Sequence, residues 1–574
     1  MSLSSKHVKG LASLLLALAV FLFWRFAYPA ALSYQEQFQL FLCTDDYFLS
    51  RLAQPGGIAR YAAEFLVQFY NNFYAGALIL AVLMVCVQRL MARLMRGRLY
   101  VLSFLPALLL WLLMGDENVM LTFTVALVFT LVAMLAWRGP SWWKWVLVVV
   151  GTPLLYWIVG PLVLLWTVFA ACCMMEGKPR RWTAWVACAY ALVLISASAQ
   201  FLPYSYAHLL RGIDYYRYPT SVPLLMPVVV VVCALLAILG RRMTQKEVHR
   251  RAFVLSLAAG AVLVALFVVA LPKAYESKKY ELMTYDFLVR SNQWNAIVAK
   301  AQHKMPDLPM SVCATNLALA MTGQLGDHAF DFYQNGVGGL FPPFERNYNT
   351  LNVTSEAYFQ LGLVNIAQRY TFEAMESLPN ADKSVRTMKR LVETNLVNGQ
   401  YNVAMKYVRM LEKTVFYRKW AGRMRQLIGD EKAIDNHPLY GRLRKWAPKS
   451  DFLFAEQEIG EVCAQLFLQH KDNNVAMQYM LLCPMLERDV DKVLQYTAMV
   501  QQQVQYNPRH VQEAVAMMLV RKKEQIPEGL VAPAVMNGLR QFLQTLTAEG
   551  KQSPNLGVYA HTAWYYLAVG ERNL

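Results

Sequence analysis

The chain has 574 residues, 56% hydrophobic and only 16% charged, with a formal net charge of +17. It is long enough for two or more domains and too poor in charge for an ordinary soluble protein of its size. Its nine cysteines show no CxxC or Cys/His ligand spacing, which excludes a zinc module and a disulfide framework.

Lys6 and Lys9 precede LASLLLALAVFLFW, read as an uncleaved first span. Apolar runs then place spans at about 10–29, 73–89, 100–114, 119–137, 145–158, 160–175, 183–200, 223–240 and 252–271. Gly151, Pro153, Gly160 and Pro161 interrupt the 145–175 region, which predicts a tight hairpin or a broken helix there. Between spans one and two, residues 31–72 form a long amphipathic loop. QEQFQLFLCTDDYFLSRL reads as one helix and, after QPGG, IARYAAEFLVQFY as a second, with Ile58, Tyr61, Ala62, Phe65 and Phe69 on one face at the membrane surface. The loop holds Glu36, Asp45, Asp46 and Glu64. The next loop on that side is only GDEN, with Asp116 and Glu117, and the third is Tyr-rich and carries His208, Arg211, Asp214 and Arg217.

With a hairpin at 145–175, sixteen Lys and Arg fall on one side of the membrane and four, Arg51, Arg60, Arg211 and Arg217, on the other. The positive-inside rule then sets the N-terminus in the cytoplasm, and nine spans leave the C-terminus outside. Arg250 and Arg251 hold the start of the last span inside, and Pro272-Lys273 opens an external domain. The organisation expected is a transmembrane domain at 1–272 and an extracytoplasmic domain at 273–574.

From Lys273 onward, helices of about 12–16 residues alternate with short polar turns and no strand alternation is sustained, so the fold class expected is all-α throughout. LVNGQYNVAMKYVRMLEKT has the small–aromatic–Ala spacing of a tetratricopeptide-type repeat at Gly399, Tyr401 and Ala404. Looser copies centre on Ala329, Ala374 and Ala476, which together predict an α-solenoid. Two insertions interrupt it. QNGVGGLFPPFERNYNTLN, around 334–352, reads as a loop. The segment 415–450 is basic with interleaved aromatics, including Trp420 and Trp446. Outside the membrane, anionic lipid headgroups or an anionic glycan suit that segment, and nucleic acid is not an expected partner.

No Walker, GxGxxG, HExxH or GxSxG motif is present. The arrangement of Glu36, Asp45 and Asp46 in one loop with Asp116 and Glu117 in the next resembles that of GT-C-fold membrane glycosyltransferases. The resemblance implies a polyprenyl-phosphate-linked sugar donor, one acid as general base on an acceptor hydroxyl, and a second acid orienting the donor or a divalent cation. Arg211 and Arg217 would then meet the donor phosphate. A eukaryotic group of that fold joins such a domain to lumenal tetratricopeptide repeats. YQEQFQLFLCTDDYF, QPGGIARYAAEFLVQFY and TFEAMESLPN resemble an uncharacterised family of Bacteroidota integral membrane proteins, which implies an inner-membrane location. Two further classes are carried: a non-catalytic scaffold whose repeats bind an envelope protein, and a transporter. The spans, apart from Arg25 near one end, lack the buried charge that marks a transport path.

Overall fold

The computed structural model describes residues 5–98, 100–137, 141–175, 182–218, 220–242, 251–448, 458–527 and 529–571. Among them the chain is all-helical, with one isolated bridge, Val119 to Tyr216, and no strand. Arg138, Lys178, Arg180, Arg181, Lys246 and Arg250, which enter the charge count, lie outside the described residues. The chain forms two units. The first is Met1–Tyr280 with Leu378–Ser384 and Lys413–Phe416; the second is Glu281–Ser377, Val385–Glu412 and Tyr417–Leu574.

In the first unit, His7–Ala27, Phe73–Leu94, Gly151–Met174 and Leu225–Arg242 are long and apolar enough to cross a membrane. Ala258–Ala274 with Ser277–Arg290, which runs on into residues of the second unit, makes a fifth if taken as one span. Tyr100–Leu113, Leu121–Leu135 and Trp185–Ser198 are apolar but shorter. A helix of 14 residues is only about 21 Å long, against about 30 Å of hydrocarbon.

Length and composition alone make Gly151–Met174 one span, but its geometry is a hairpin. Gly160 has φ 72° and ψ −146°, far from helical values. A Cβ on Gly151 would lie 3.9 Å from the Trp166 ring. In a straight helix those two residues would stand about 22 Å apart along the axis. The chain therefore reverses at Gly160, as the glycines and prolines of this region lead one to expect. Pro153 has no N–H for the carbonyl of Val149, and the Tyr190 hydroxyl donates to that oxygen instead, at 3.1 Å.

The helix ends of this unit gather at two places. At one, Tyr100 Oη donates to the Lys9 carbonyl (2.7 Å) and Arg98 Nη1 to that of Gly240 (3.4 Å). At the other, Tyr275 Oη donates to the Trp111 carbonyl (2.7 Å), and its ring packs edge-on against Tyr28 and Phe23.

The second unit is built from helices that pack against their sequence neighbours. Six of its helices end in the same way: a residue with positive φ (Asn292, Gly323, Gly362, Gly399, Arg488 or Lys523) is followed by a residue whose N–H bonds back five positions. That is the Schellman close, which satisfies an otherwise orphaned carbonyl and turns the chain sharply. Ala329, Ala374, Ala404 and Ala476 are fully buried, so backbones approach closely at each. In an open solenoid each repeat touches only its neighbours. Here the helix Asn474–Glu487 returns to earlier ones: Gln478 Nε2 donates to the Ala320 carbonyl (3.1 Å), and Asn473 Nδ2 donates to that of Leu361 (2.9 Å).

The first expected insertion, and residues 417–448 of the second, are ordered parts of this unit. GVGG forms a 3-10 turn at Gly336–Gly339, held by Asn316 Nδ2 on the Gly339 carbonyl (2.9 Å). The expected loop also gives way to the helix Tyr348–Leu361, because the Asn347 side chain caps it. In the basic segment, Arg425 pairs with Glu412, Arg444 with Glu431 and Asp435, and Lys445 with Asp472, while Trp446 is buried. Three of its basic residues are thus paired with acids; Lys449 and Ser450 lie outside the described residues.

Candidate functional site

The 31–72 loop folds as Pro29–Gln37, Asp45–Leu52 and Gly57–Val67. Gly56 donates to the Trp157 carbonyl (2.9 Å), and Trp157 Nε1 donates to that of Leu52 (2.8 Å), which seats the QPGG turn on the hairpin tip. On the third helix the face that packs inside the unit lies apart from the apolar face assigned to the membrane surface. Gly57, Ala59, Arg60, Ala63, Glu64 and Val67 are the buried residues, whereas Phe65 is 42% exposed. Periodicity scores charges as solvent-facing, but a charge with a complete set of partners can be buried.

Arg60 has such a set. Its Nε donates to Glu64 Oε1, its Nη1 to Asp214 Oδ2 and its Nη2 to Asp382 Oδ1, each at 2.7 Å. Arg51 Nε and Tyr47 Oη both donate to Glu64 Oε2, at 2.9 and 2.5 Å. Asn380 has left-handed backbone (φ 60°), and its Nδ2 donates to Asp214 Oδ1 at 3.1 Å. Three carboxylates therefore share two guanidinium groups, and side-chain exposure is 9% or less for all but Arg51. Burial, with Glu64 and Asp214 beside it, pushes Asp382 up to about 7 against the pull of Arg60. Burial also works against the Arg60 charge, but Asp214, Glu64 and Asp382 outweigh it and raise its pKa further.

A second set of contacts joins three of the loops singled out by their charges. Met120 donates to the Tyr215 carbonyl (3.0 Å) and Arg217 N to that of Asn118 (2.8 Å), so GDEN and the Tyr-rich loop run edge to edge. Gln35 Nε2 donates to the Glu117 carbonyl, and Arg217 Nη2 to Gln35 Oε1, both at 3.0 Å. The Arg217 guanidinium also lies over the Phe38 ring, 3.6 Å from its centroid.

Each candidate residue has a definite position here. Glu36 is buried and accepts from Gln37 Nε2 at 2.7 Å. Asp45 and Asp46 are exposed in the first turn of Asp45–Leu52, where acids complement the helix dipole, and take no part in either set of contacts. Asp116 Oδ1 accepts from Asn118 N (2.9 Å) and shapes its own turn, while Glu117 pairs with Lys279 at 3.1 Å. Arg217 is buried, which pulls its pKa below the ordinary guanidinium value; Arg211 ends the short helix Tyr206–Arg211 and bonds to Tyr216. The structure brings Gln35, beside Glu36, together with Glu117 and Arg217.

Sequence reasoning missed Asp382 and Asn380 altogether. The available signal was the Pro379-Asn380 turn with an acid two residues on, a common pattern that singles out nothing. Among the described residues no three His, Cys, Asp or Glu side chains gather closely enough to hold a metal ion. Between Glu64, Asp214 and Asp382, the guanidinium of Arg60 takes the central position a cation would fill.

The described residues form a helical protein with several helices long and apolar enough to span a membrane and a buried ion cluster formed by its connecting segments. The chain belongs to a family of unknown function, DUF6057, whose model matches residues 4–570. No curated protein and no solved structure matches it.

Proposed function

We propose that this is a multi-pass inner-membrane protein of Bacteroidota that acts as a non-catalytic envelope scaffold. Its nine spans would leave the N-terminus in the cytoplasm, and its tetratricopeptide-like unit would bind a partner protein in the periplasm. The observation that supports the non-catalytic reading is that the candidate residues do not converge on one site: Asp45 and Asp46 are exposed and take no part in the contacts that join Gln35, Glu117 and Arg217. Asp116 shapes a turn, Glu117 pairs with Lys279, Glu36 accepts from Gln37, and Arg217 is spent on Gln35 and Phe38. A phosphate clamp needs free donors directed at substrate, and Arg217 directs its own at Gln35. The recurrent Schellman closes favour the helical-repeat reading, and repeat domains bind proteins on their faces. The reversal at Gly160 favours the hairpin on which nine spans and a periplasmic C-terminus depend.

The test is photo-crosslinking from exposed positions of Tyr401–Glu412 in the full-length protein in its membrane. The expected result is one recurrent envelope protein; a diffuse set of adducts counts against the scaffold.

One observation favours a second reading, a GT-C-like glycosyltransferase acting on a polyprenyl-phosphate-linked sugar. Gln35, Glu117 and Arg217 draw together the segments in which that fold keeps its acids and its phosphate-binding cations. Sugar transfer by the purified chain that is abolished by Glu36→Gln or Asp116→Asn would replace the scaffold with this enzyme.

A further inference from the structure

The first unit contains an open cavity of about 770 Å³ lined by Lys9, Arg89, Arg93, Arg96, Tyr100 and Leu135, with Ala92 and Gly97. It lies at the helix ends where Lys9 and Tyr100 meet, not among the acids discussed above. Four of its lining residues are cationic and none is acidic. Among the described residues the half-buried Arg89 and the exposed Arg93 and Arg96 have no carboxylate partner, unlike Arg51, Arg60, Arg386, Arg390 and Arg444.

The cations are gathered by the fold. Arg89 and Arg93 are one helical turn apart on Phe73–Leu94, where like charges repel. Arg96 then takes a left-handed conformation (φ 55°), and Gly97 N bonds back to the Ala92 carbonyl at 2.8 Å. Glycine or asparagine usually fills that position, so an arginine there sets a cation at the helix end against local preference. Lys9 arrives from the first helix. Its ammonium lies 5.3 Å from the Tyr100 ring centroid and within 3.9 Å of where a Cβ on Gly97 would stand.

The cavity floor is rigidly held. Tyr100 Oη donates to the Lys9 carbonyl and lies 3.0 Å from Ser13 Oγ. Ser13 donates to Gln88 Oε1 (2.7 Å), and Gln88 Nε2 donates to Ser103 Oγ (2.9 Å), in a network whose Ser13, Gln88 and Ser103 are buried. A pre-formed cavity with unpaired guanidinium groups and an ammonium is suited to a ligand with several anionic oxygens, because the arginine fork matches phosphate geometry.

We propose that this cavity binds the phosphate or diphosphate of an anionic headgroup, supplied by a lipid of the membrane or by a soluble phosphate ester. Ala92 and Leu135 give it an apolar wall beside the cations, which suits the lipid source.

The test uses the full-length chain in neutral detergent, with native mass spectrometry of short-chain phosphatidylglycerol adducts and with pyrophosphate as the soluble probe. One retained adduct is expected. It should fall roughly tenfold or more in the triple variant Arg89→Gln, Arg93→Gln, Arg96→Gln and stay unchanged in Arg242→Gln, which removes a basic residue outside the cavity lining. Retention of lipid with no pyrophosphate binding assigns the lipid source. Tighter binding of pyrophosphate than of lipid assigns the soluble one, and both results uphold the anion site. Binding of neither probe, equal retention in wild type and triple variant, or equal loss in Arg242→Gln would overturn it. Arg93→Gln alone, at an exposed position, guards against misfolding: it should weaken binding with the thermal unfolding temperature unchanged.

Discussion

Arg60 Nη2 donates to Asp382 Oδ1 at 2.7 Å, although the two residues stand 322 positions apart in the chain. Both belong to the first unit, because Leu378–Ser384 folds with it and not with its sequence neighbours. The contacts that fix that segment include Arg60 to Asp382, Asn380 Nδ2 to Asp214 and Tyr218 N to Asn380 Oδ1. A second short segment, Lys413–Phe416, joins the same unit through the Lys413 carbonyl on Cys43 N (2.9 Å) and Phe416 against Phe69.

Removing the central cation should be costly. Arg60→Gln leaves Glu64, Asp214 and Asp382 with Arg51 alone, and breaking a buried ion cluster from one side costs on the order of 3–5 kcal/mol. Arg60→Lys should fail nearly as badly, since an ammonium lacks the fork that serves three carboxylates at once. Thermal unfolding of the detergent-solubilised full chain reads both; a wild-type midpoint for Arg60→Gln would show the cluster to be dispensable.

Asp382 gives the cluster a pH dependence of definite sign. Its folded value of about 7 lies above the usual carboxylate range. Between about pH 4 and the folded value, the native state keeps a proton that the unfolded chain has released. Stability from this group is therefore greatest at low pH, declines as pH rises through that window and levels off above it. Asp382→Asn is uncharged throughout and lacks this term. Measured from about pH 5 to pH 8, wild type should lose stability relative to Asp382→Asn, whereas parallel curves would mean the carboxyl titrates normally.

The hairpin depends on Gly160. At φ 72° and ψ −146° a side chain is strained, so Gly160→Ala should cost on the order of 1–3 kcal/mol and lower the accumulation of folded protein. Gly151→Ala is the control. Its Cβ meets Trp166 at an ordinary 3.9 Å, and alanine favours a helix, so no loss is expected. Equal behaviour of the two variants in membrane extracts would contradict the reversal.

Cysteine labelling reports sidedness. Cys43 is exposed, while Cys313, Cys463 and Cys483 are buried, and burial pushes the Cys313 thiol up to about 12. A membrane-impermeant maleimide added to spheroplasts should modify Cys43 at once and the other three only after denaturation. Labelling of Cys43 that requires opened membranes would invert the proposed topology.

The sequence alone determined the properties that depend on neighbouring residues. Helicity throughout, the apolar runs and the break at Gly160 follow from local composition and backbone chemistry, which a reader of residues sees directly. Gly399 stood out in the sequence only as a small residue at repeat spacing; its left-handed helix end, like those at Asn292, Arg488 and Lys523, shows only in the fold. Only the tertiary structure decided which charges are buried. Glu64, Arg60 and Asp214 read as loop charges until Asp382 arrives from a distant turn to complete their pairing. The same holds for the cavity cations: Arg89, Arg93 and Arg96 mark a side of the membrane in the sequence. They become a candidate binding site only when the fold sets Lys9 and Tyr100 against them. A charge carries no sign of its partner in one dimension, and the partner sets whether it is solvated, paired or left for a ligand.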